Sequence, residues 1–249
     1  MDLYVIKELI GMTIKEYMQY LILICGVIIS IFAVKKSRLK TIKKFLIFDI
    51  NEVREKKNVF TRNEILEKII IQRIKNTDSN FDPIDFCNWA IDIFKDLAIN
   101  YSKQDLAPMQ VYLTPSYYDE LSSKIANNKA MQIQHCITDH EVYYSCINSQ
   151  TVEKGIEYIE VVIGALVSEY KEDNVSHTVF FGSKDEKFRD TYHLKFGRKE
   201  GSKTNKNTNI FECPNCGGKV RKYTNICPFC KSNIIENGET WILNNVEKY

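Results

Sequence analysis

Near Asn128 the spacing of apolar residues changes from three-to-four to two, and that change sets the fold class. Upstream, PIDFCNWAIDIFKDLAINY (83–101) places Cys87, Ala90, Ile91, Phe94, Leu97, Ala98 and Tyr101 on one helical face, widened by Trp89 and Ile93. Asp82 is placed to cap this helix and Pro83 suits its first turn. Pro115 opens a second, shorter helix carrying Tyr117, Tyr118, Leu121 and Ile125. Downstream, Met131, Ile133, His135 and Ile137 alternate with polar neighbours, Asp139-His140 reads as a turn, and Val142 to Ile147 returns. Gly155 to Tyr170 is a long strand with Gly164 as a bulge candidate, and Glu172-Asp173-Asn174 turns again. From Lys187 to Phe196 the alternation is cleanest, with Phe188, Asp190, Tyr192, Leu194 and Phe196 on one face. Helices followed by a run of antiparallel strands imply an α+β fold, with helices packed on one face of a curved sheet.

The N-terminal part obeys a different constraint. YMQYLILICGVIISIFAV (17–34) holds eighteen residues without a charge, a helix of roughly 27 Å and so close to the hydrocarbon thickness of a bilayer. The next ten residues, KKSRLKTIKK (35–44), carry six positive charges and no negative one. That asymmetry places the N-terminus outside and the rest of the chain in the cytoplasm, as a single-pass cell-membrane protein. A cleaved signal peptide would need a basic n-region and small residues at a cleavage site, and neither is present. Between Lys43 and Asn80 the period is helical. Thr61-Arg-Asn-Glu64 reads as a capping box ahead of an apolar stripe of Ile65, Leu66, Ile69, Ile70 and Ile74. Packing on the central domain explains that stripe better than lying on a membrane, which usually demands more Lys and Arg on the polar face.

Thirty-four basic and 32 acidic residues nearly cancel, but their distribution does not. From Phe45 to Gly201 there are 19 basic and 25 acidic residues, which argues against a nucleic-acid-binding surface there. Of eight cysteines, Cys25, Cys87, Cys136 and Cys146 are scattered among apolar neighbours. The other four form two C-x-x-C pairs, Cys213/Cys216 and Cys227/Cys230, separated by ten residues. Two such knuckles converge four sulfurs on one tetrahedral ion, which makes these residues the metal ligands and zinc the expected cofactor, in a coordinatively closed structural site. Iron stays open as an occupant, because C-x-x-C-G knuckles also hold a single iron. Reduced thiolates of this kind fit a cytosolic face.

The order of FDP-helix, Asp105, Pro115-led helix, strand meander, FRDTYHLKFGR, C-x-x-C ribbon and Trp241-Ile-Leu-Asn-Asn-Val246 resembles a known group over residues 78 to 249. It is similar to bacterial membrane proteins with a domain like the C-terminal domain of subunit 44 of the mitochondrial inner-membrane import translocase, a Tim-44-like domain. The resemblance implies a cone-shaped, nuclear-transport-factor-2-like α+β domain, associated with membranes and able to bind lipid or a protein partner. Tyr192 departs from it, standing where tryptophan is expected in the last strand. The resulting division is a transmembrane helix and basic segment (1–44), an amphipathic helical connector (45–77), the Tim-44-like domain (78–200), a flexible linker (201–210), and the zinc ribbon with a C-terminal tail (211–249).

Catalysis is not expected. His135, Glu160 and Asp190 are polar residues that alternation places on apolar strand faces, but no nucleophile, base and orienter can be placed together. P-loop, G-x-G-x-x-G, H-E-x-x-H and G-x-S-x-G motifs are all missing from the sequence. The reading is therefore a membrane-anchored, non-enzymatic adaptor that holds lipid or a protein segment on a concave apolar surface of Phe188, Tyr192, Leu194 and Trp89, with zinc as a structural element. The alternatives are a small-molecule enzyme using the same cavity, or a nucleic-acid or protein sensor acting through Lys219, Arg221, Lys222 and Lys231 of the ribbon.

Overall fold

The computed structural model describes residues 60–204, 210–213, 215–221, 227, 229–232 and 240–249, all within the compact unit Asn58–Tyr249. The expected membrane span at 17–34, the basic run at 35–44 and residues 205–209 of the expected linker lie outside the described residues. Among the described residues no helix is long and apolar enough to cross a membrane.

Among the described residues three α-helices precede the sheet. Helix α1 (Glu64–Thr77) starts at Asn63, whose Oδ1 accepts from the Leu66 amide at 3.0 Å. The cap is therefore Asn63 rather than Thr61, because an asparagine directly before the helix makes the same bond two residues later. Ile70 and Ile74 enter the core, whereas Ile65, Leu66 and Ile69 stay 74%, 45% and 52% exposed; the apolar stripe thus splits between two faces. Helix α2 (Pro83–Ser102) is capped by Asp82, which accepts from the amides of Ile84 and Asp85. Trp89 and Ile93 are buried along with Ala90, Phe94, Leu97 and Ala98, so α2 is covered on more than one side. Helix α3 (Pro115–Ala130) follows a Thr114 cap and buries Tyr117, Leu121 and Ile125.

The strands are β1 (Ile133–Glu153), β2 (Ile156–Asp173), β3 (Val179–Gly182), β4 (Phe188–Lys199), β5 (Ile210–Glu212), β6 (Lys219–Arg221) and β7 (Ile242–Lys248). The main sheet runs β1-β2-β4-β7, with β3 extending it beside β2, and β5-β6 form a separate hairpin. Every strand pair is antiparallel. Strand β1 passes straight through Asp139-His140, where a turn was expected. Asp139 takes a φ of 53°, and the register slips by one residue between Thr138 and Glu141, so the surplus is absorbed as a bulge and the strand continues. A second bulge lies in β1 between Val142 and Tyr144, opposite Gly164. Gly164 is thus the partner of a bulge. The Tyr144 ring occupies the space a Cβ there would need. The free edge of β1 is closed at three points: Gln104 donates to the Ile133 carbonyl, Ser102 Oγ accepts from the Ile137 amide, and Glu67 accepts from the Ile147 amide. Such side-chain closure blunts an edge that would otherwise template another strand.

The C-terminal segment, expected to travel with the ribbon as a tail, is the last strand of the main sheet. β7 pairs with β4 from Tyr192↔Lys248 to Gly197↔Ile242. On its other side Leu243 exchanges hydrogen bonds with Tyr112 and Thr114. Trp241 and Leu243 are 1% and 0% exposed, and the Phe86 ring meets those of Trp89, Phe196 and Trp241 at 5.5, 5.6 and 5.3 Å. The ribbon is consequently an excursion between two adjacent antiparallel strands. This packing also fills the apolar surface expected to be open: Trp89, Tyr192 and Leu194 are 5%, 4% and 0% exposed, and Phe188 (41%) lies at the rim.

Beneath the Trp241 ring, at one end of the apolar layer, Arg198 is 3% exposed. Its Nη1 donates to Asp78 Oδ2 and its Nε to Glu157 Oε2, both at 2.9 Å. Thr204 adds its amide and hydroxyl to Asp78 at 2.9 and 2.7 Å. The guanidinium also stacks on the Trp241 ring at 4.2 Å. Removing one partner of a buried pair leaves uncompensated charge. Arg198→Met, which keeps the stem but not the charge, is expected to cost about 3–5 kcal/mol of unfolding free energy in urea titrations followed by tryptophan fluorescence. A loss below about 1 kcal/mol would mean that water screens the cluster.

Candidate metal centre

Cys213 and Cys216 flank the turn between β5 and β6, and Cys227 and Cys230 form a second turn of the same build. In the first, the Gly217 amide donates to the Cys213 carbonyl and the Cys213 amide to the Gly218 carbonyl, both at 2.8 Å. In the second, Lys231 donates to Cys227 and Cys227 to Ser232, both at 2.9 Å. The two knuckles therefore correspond residue by residue: Cys213 with Cys227, Cys216 with Cys230, Gly217 with Lys231, Gly218 with Ser232. Gly217 and Lys231 both take left-handed backbone, with φ of 70° and 61°, a conformation that favours glycine and that lysine adopts at some cost.

The four Sγ atoms all lie within 4.8 Å of one another. Cys213 and Cys230 are 3.7 Å apart, and Cys216 and Cys227 are 3.6 Å apart. A tetrahedral ion with metal–sulfur bonds of about 2.3 Å requires sulfurs about 3.8 Å apart, so the four residues singled out by spacing fit a metal ion. Cys213 and Cys227 are buried, Cys230 is half-buried and Cys216 is exposed. Hydrogen bonds from the Ser232 hydroxyl and the Asn215 amide bring the Cys230 thiol down to about 5.

The polar residues considered as catalytic candidates fall into two separate places. His135 Nε2 meets Glu169 Oε1 at 2.8 Å. Glu169 also pairs with Lys248, which reaches Asp190 at 2.9 Å. His135 and Asp190 thus share one ionic chain at the far end of the apolar layer from Arg198. Burial alone would raise the Glu169 carboxyl; the His135 hydrogen bond and the Lys248 charge outweigh it and bring it down to about 2. Glu160 lies on the opposite face of the sheet, where it bonds His193 Nδ1 at 2.8 Å and Asn148 Nδ2 at 2.7 Å. The inward residues of β2 are Glu157, Ile159, Val161, Ile163 and Glu169, one position out of phase with the set containing Glu160. Read in that phase, the strand itself would have flagged Glu157 and Glu169. Nothing in the local pattern marks Asp78 or Thr204 as their partners.

A model of the Tim44-like domain family matches residues 68–209, more than half of the chain. The chain belongs to the Tim44-like domain family. The matched part of the Tim44-like domain begins inside α1 and ends before the cysteine knuckles, although β7, beyond them, completes its sheet. No protein of curated function matches the chain. Among solved structures it is similar to the intermembrane space region of chloroplast protein ARC6, at 9% identity and a TM-score of 0.30, over 65% of this chain and 95% of that one. That likeness is too slight to carry structural argument.

Because the knuckles interrupt the sheet, metal loss could in principle undock β7. The magnitudes oppose it. Opening the Cys213–Cys230 link lengthens the connection between β4 and β7 by a factor under two, worth about 0.5 kcal/mol of closure entropy. Burial of one tryptophan such as Trp241 contributes on the order of 5 kcal/mol. A strong chelator is therefore expected to strip metal from the Tim44-like chain while its tryptophan fluorescence, arising from Trp89 and Trp241 alone, stays unshifted. A red shift on chelation would instead show that β7 depends on the metal.

The lowered Glu169 pKa stabilises the fold above the usual carboxylate range. That contribution is lost as pH falls from about 4.5 toward about 2. Glu169→Gln should flatten this acid limb in pH-dependent urea midpoints. An unchanged limb would place the acid sensitivity in other carboxylates.

Proposed function

We propose that this chain is a membrane-anchored, non-enzymatic adaptor whose Tim44-like domain engages a protein segment and whose ribbon is closed by one structural zinc ion. The observation that carries the reading is the filled interior. Trp241, Trp89, Phe86 and Phe196 occupy the core face of the sheet, and His135, Glu160 and Asp190 are each tied to a side-chain partner, Glu169, His193 and Lys248 respectively. What remains open is on the surface. A cleft of about 550 Å³ lies between the second knuckle and the start of α3, lined by Val111, Leu113, Pro115 and Tyr118 with Asp119 and Lys231 at its rim. It suits an extended chain with an apolar side group better than an enclosed small molecule.

The four-thiolate set suits zinc or a single iron, and the short interval between knuckles favours zinc. The anchor is the uncharged run at 17–34, oriented by the cations that follow it, with the domain in the cytoplasm. Lipid holding by the same domain is the rival within this reading, and a single measurement separates the two. Native mass spectrometry of the full chain, released from detergent micelles, is expected to give one zinc per chain, lost to chelator, and no retained lipid. A stoichiometric lipid surviving release would move the reading to lipid carriage, and iron or an empty site would overturn the zinc assignment. Protease added to inside-out membrane vesicles, but not to intact cells, should digest the domain; the reverse pattern would invert the topology.

A further inference from the structure

The two knuckles share a backbone but not their side chains. Ser232 Oγ lies 3.0 Å from Cys230 Sγ and 3.6 Å from Cys213 Sγ. From the other knuckle, Asn215 Nδ2 reaches Cys230 Sγ at 3.5 Å. Among the described residues Cys230 therefore has two side-chain donors. Its counterpart Cys216 has glycine, Gly218, where Cys230 has Ser232, and the facing position holds Phe229 where Cys230 faces Asn215. Phe229 packs its ring edge over Gly218 and offers no donor. Cys216 is also the exposed member of the four, whereas Cys213 and Cys227 are 2% and 0% exposed.

Hydrogen bonds to a metal-bound thiolate draw charge from the sulfur, hold it in place and reduce its nucleophilicity, and partners of this kind typically change metal affinity by 10–100-fold. A sulfur that is exposed and poor in donors keeps its charge density and meets electrophiles first. We infer that the metal centre is built asymmetrically: Ser232 and Asn215 secure Cys230, and Cys216 is the reactive ligand through which the centre opens to soft electrophiles. This rests on the metal reading proposed above. With a maleimide as electrophile, the Cys216 sulfur adds to the carbon–carbon double bond and a proton from water completes the neighbouring carbon. Nothing is oxidised and no group leaves. The product is a thioether, a far poorer ligand than a thiolate, so only Cys213, Cys227 and Cys230 would remain to hold a metal against chelators.

The test uses the full chain loaded with cobalt(II), whose visible absorption reports four-thiolate coordination. It is treated with N-ethylmaleimide at less than one equivalent and mapped by peptide mass spectrometry. Among the four ligands Cys216 is expected to carry most of the first label, with cobalt absorption falling in proportion. Ser232→Ala should weaken cobalt binding by about 10-fold and bring Cys230 labelling up to the level of Cys216, and Ser232→Thr should restore both. First labelling at Cys213, Cys227 or Cys230, or equal labelling of all four, would overturn the inference, as would unchanged affinity and label pattern in Ser232→Ala. Tryptophan fluorescence of each variant checks that the sheet is intact. If wild-type chain takes up no cobalt, the metal reading itself fails, and that result is seen before any maleimide is added.

Discussion

One guanidinium ties the Tim44-like sheet to the end of α1 and to the segments that follow β4. Arg198 stands near the end of β4 and satisfies its charge with Asp78, the residue that closes α1, and with Glu157, at the start of β2. Thr204 shares the Asp78 carboxylate, and Trp241 lies over the guanidinium. Four chain segments distant in sequence must meet there, or the charge is left bare in an apolar setting. Two carboxylates for one guanidinium is also an unbalanced ledger, and the Asp78 carboxyl shows how it is met. Burial pushes its pKa up, and the Thr204 and Arg198 bonds more than reverse the shift. Desolvation offsets much of the attraction in such a cluster, but any arrangement of α1, β2 and β4 that separates these groups leaves a buried charge unpaired.

The inward face of the sheet repeats that logic at its other end. β2 begins its inward row at Glu157 and carries it to Glu169; β4 runs from Asp190 to Arg198. Between these limits the row is apolar: Ile159, Val161, Ile163, Ala165 and Val167 against Tyr192, Leu194 and Phe196. The ionic chain His135–Glu169–Lys248–Asp190 is thus a border of the core and the counterpart of the Arg198 cluster.

Much of this was legible in the sequence, and the limits have physical causes. The helices announce themselves, because Asp82-Pro83 and Thr114-Pro115 pair a capping side chain with a proline fixed for the first turn. The cysteine cluster is legible because its four members sit in two short local repeats. What spacing could not reveal was phase and partnership. Asp139 looks like a turn residue and does adopt left-handed backbone, yet β2 offers an unbroken partner, and a bulge costs less than ending the ladder. Spacing does not separate the two faces of β2, because both are largely apolar, Val162 being as buried as Val161. Trp241 reads as a tail because its ring contacts lie with Phe86 and Arg198, both far away in sequence. The side-chain asymmetry of the knuckles was present in the sequence as Ser232 against Gly218, but its meaning depends on which sulfur each side chain reaches.

Placing the knuckles between β4 and β7 also fixes an order of events in synthesis. As the chain leaves the ribosome, α2 and the first four strands emerge with Phe86, Trp89 and Phe196 still uncovered along one side. The cysteines emerge next, and the segment that seals this opening arrives only after them. An ion able to bind the four thiolates would thus meet them while the domain is unfinished, so the knuckles are free to close before the core does.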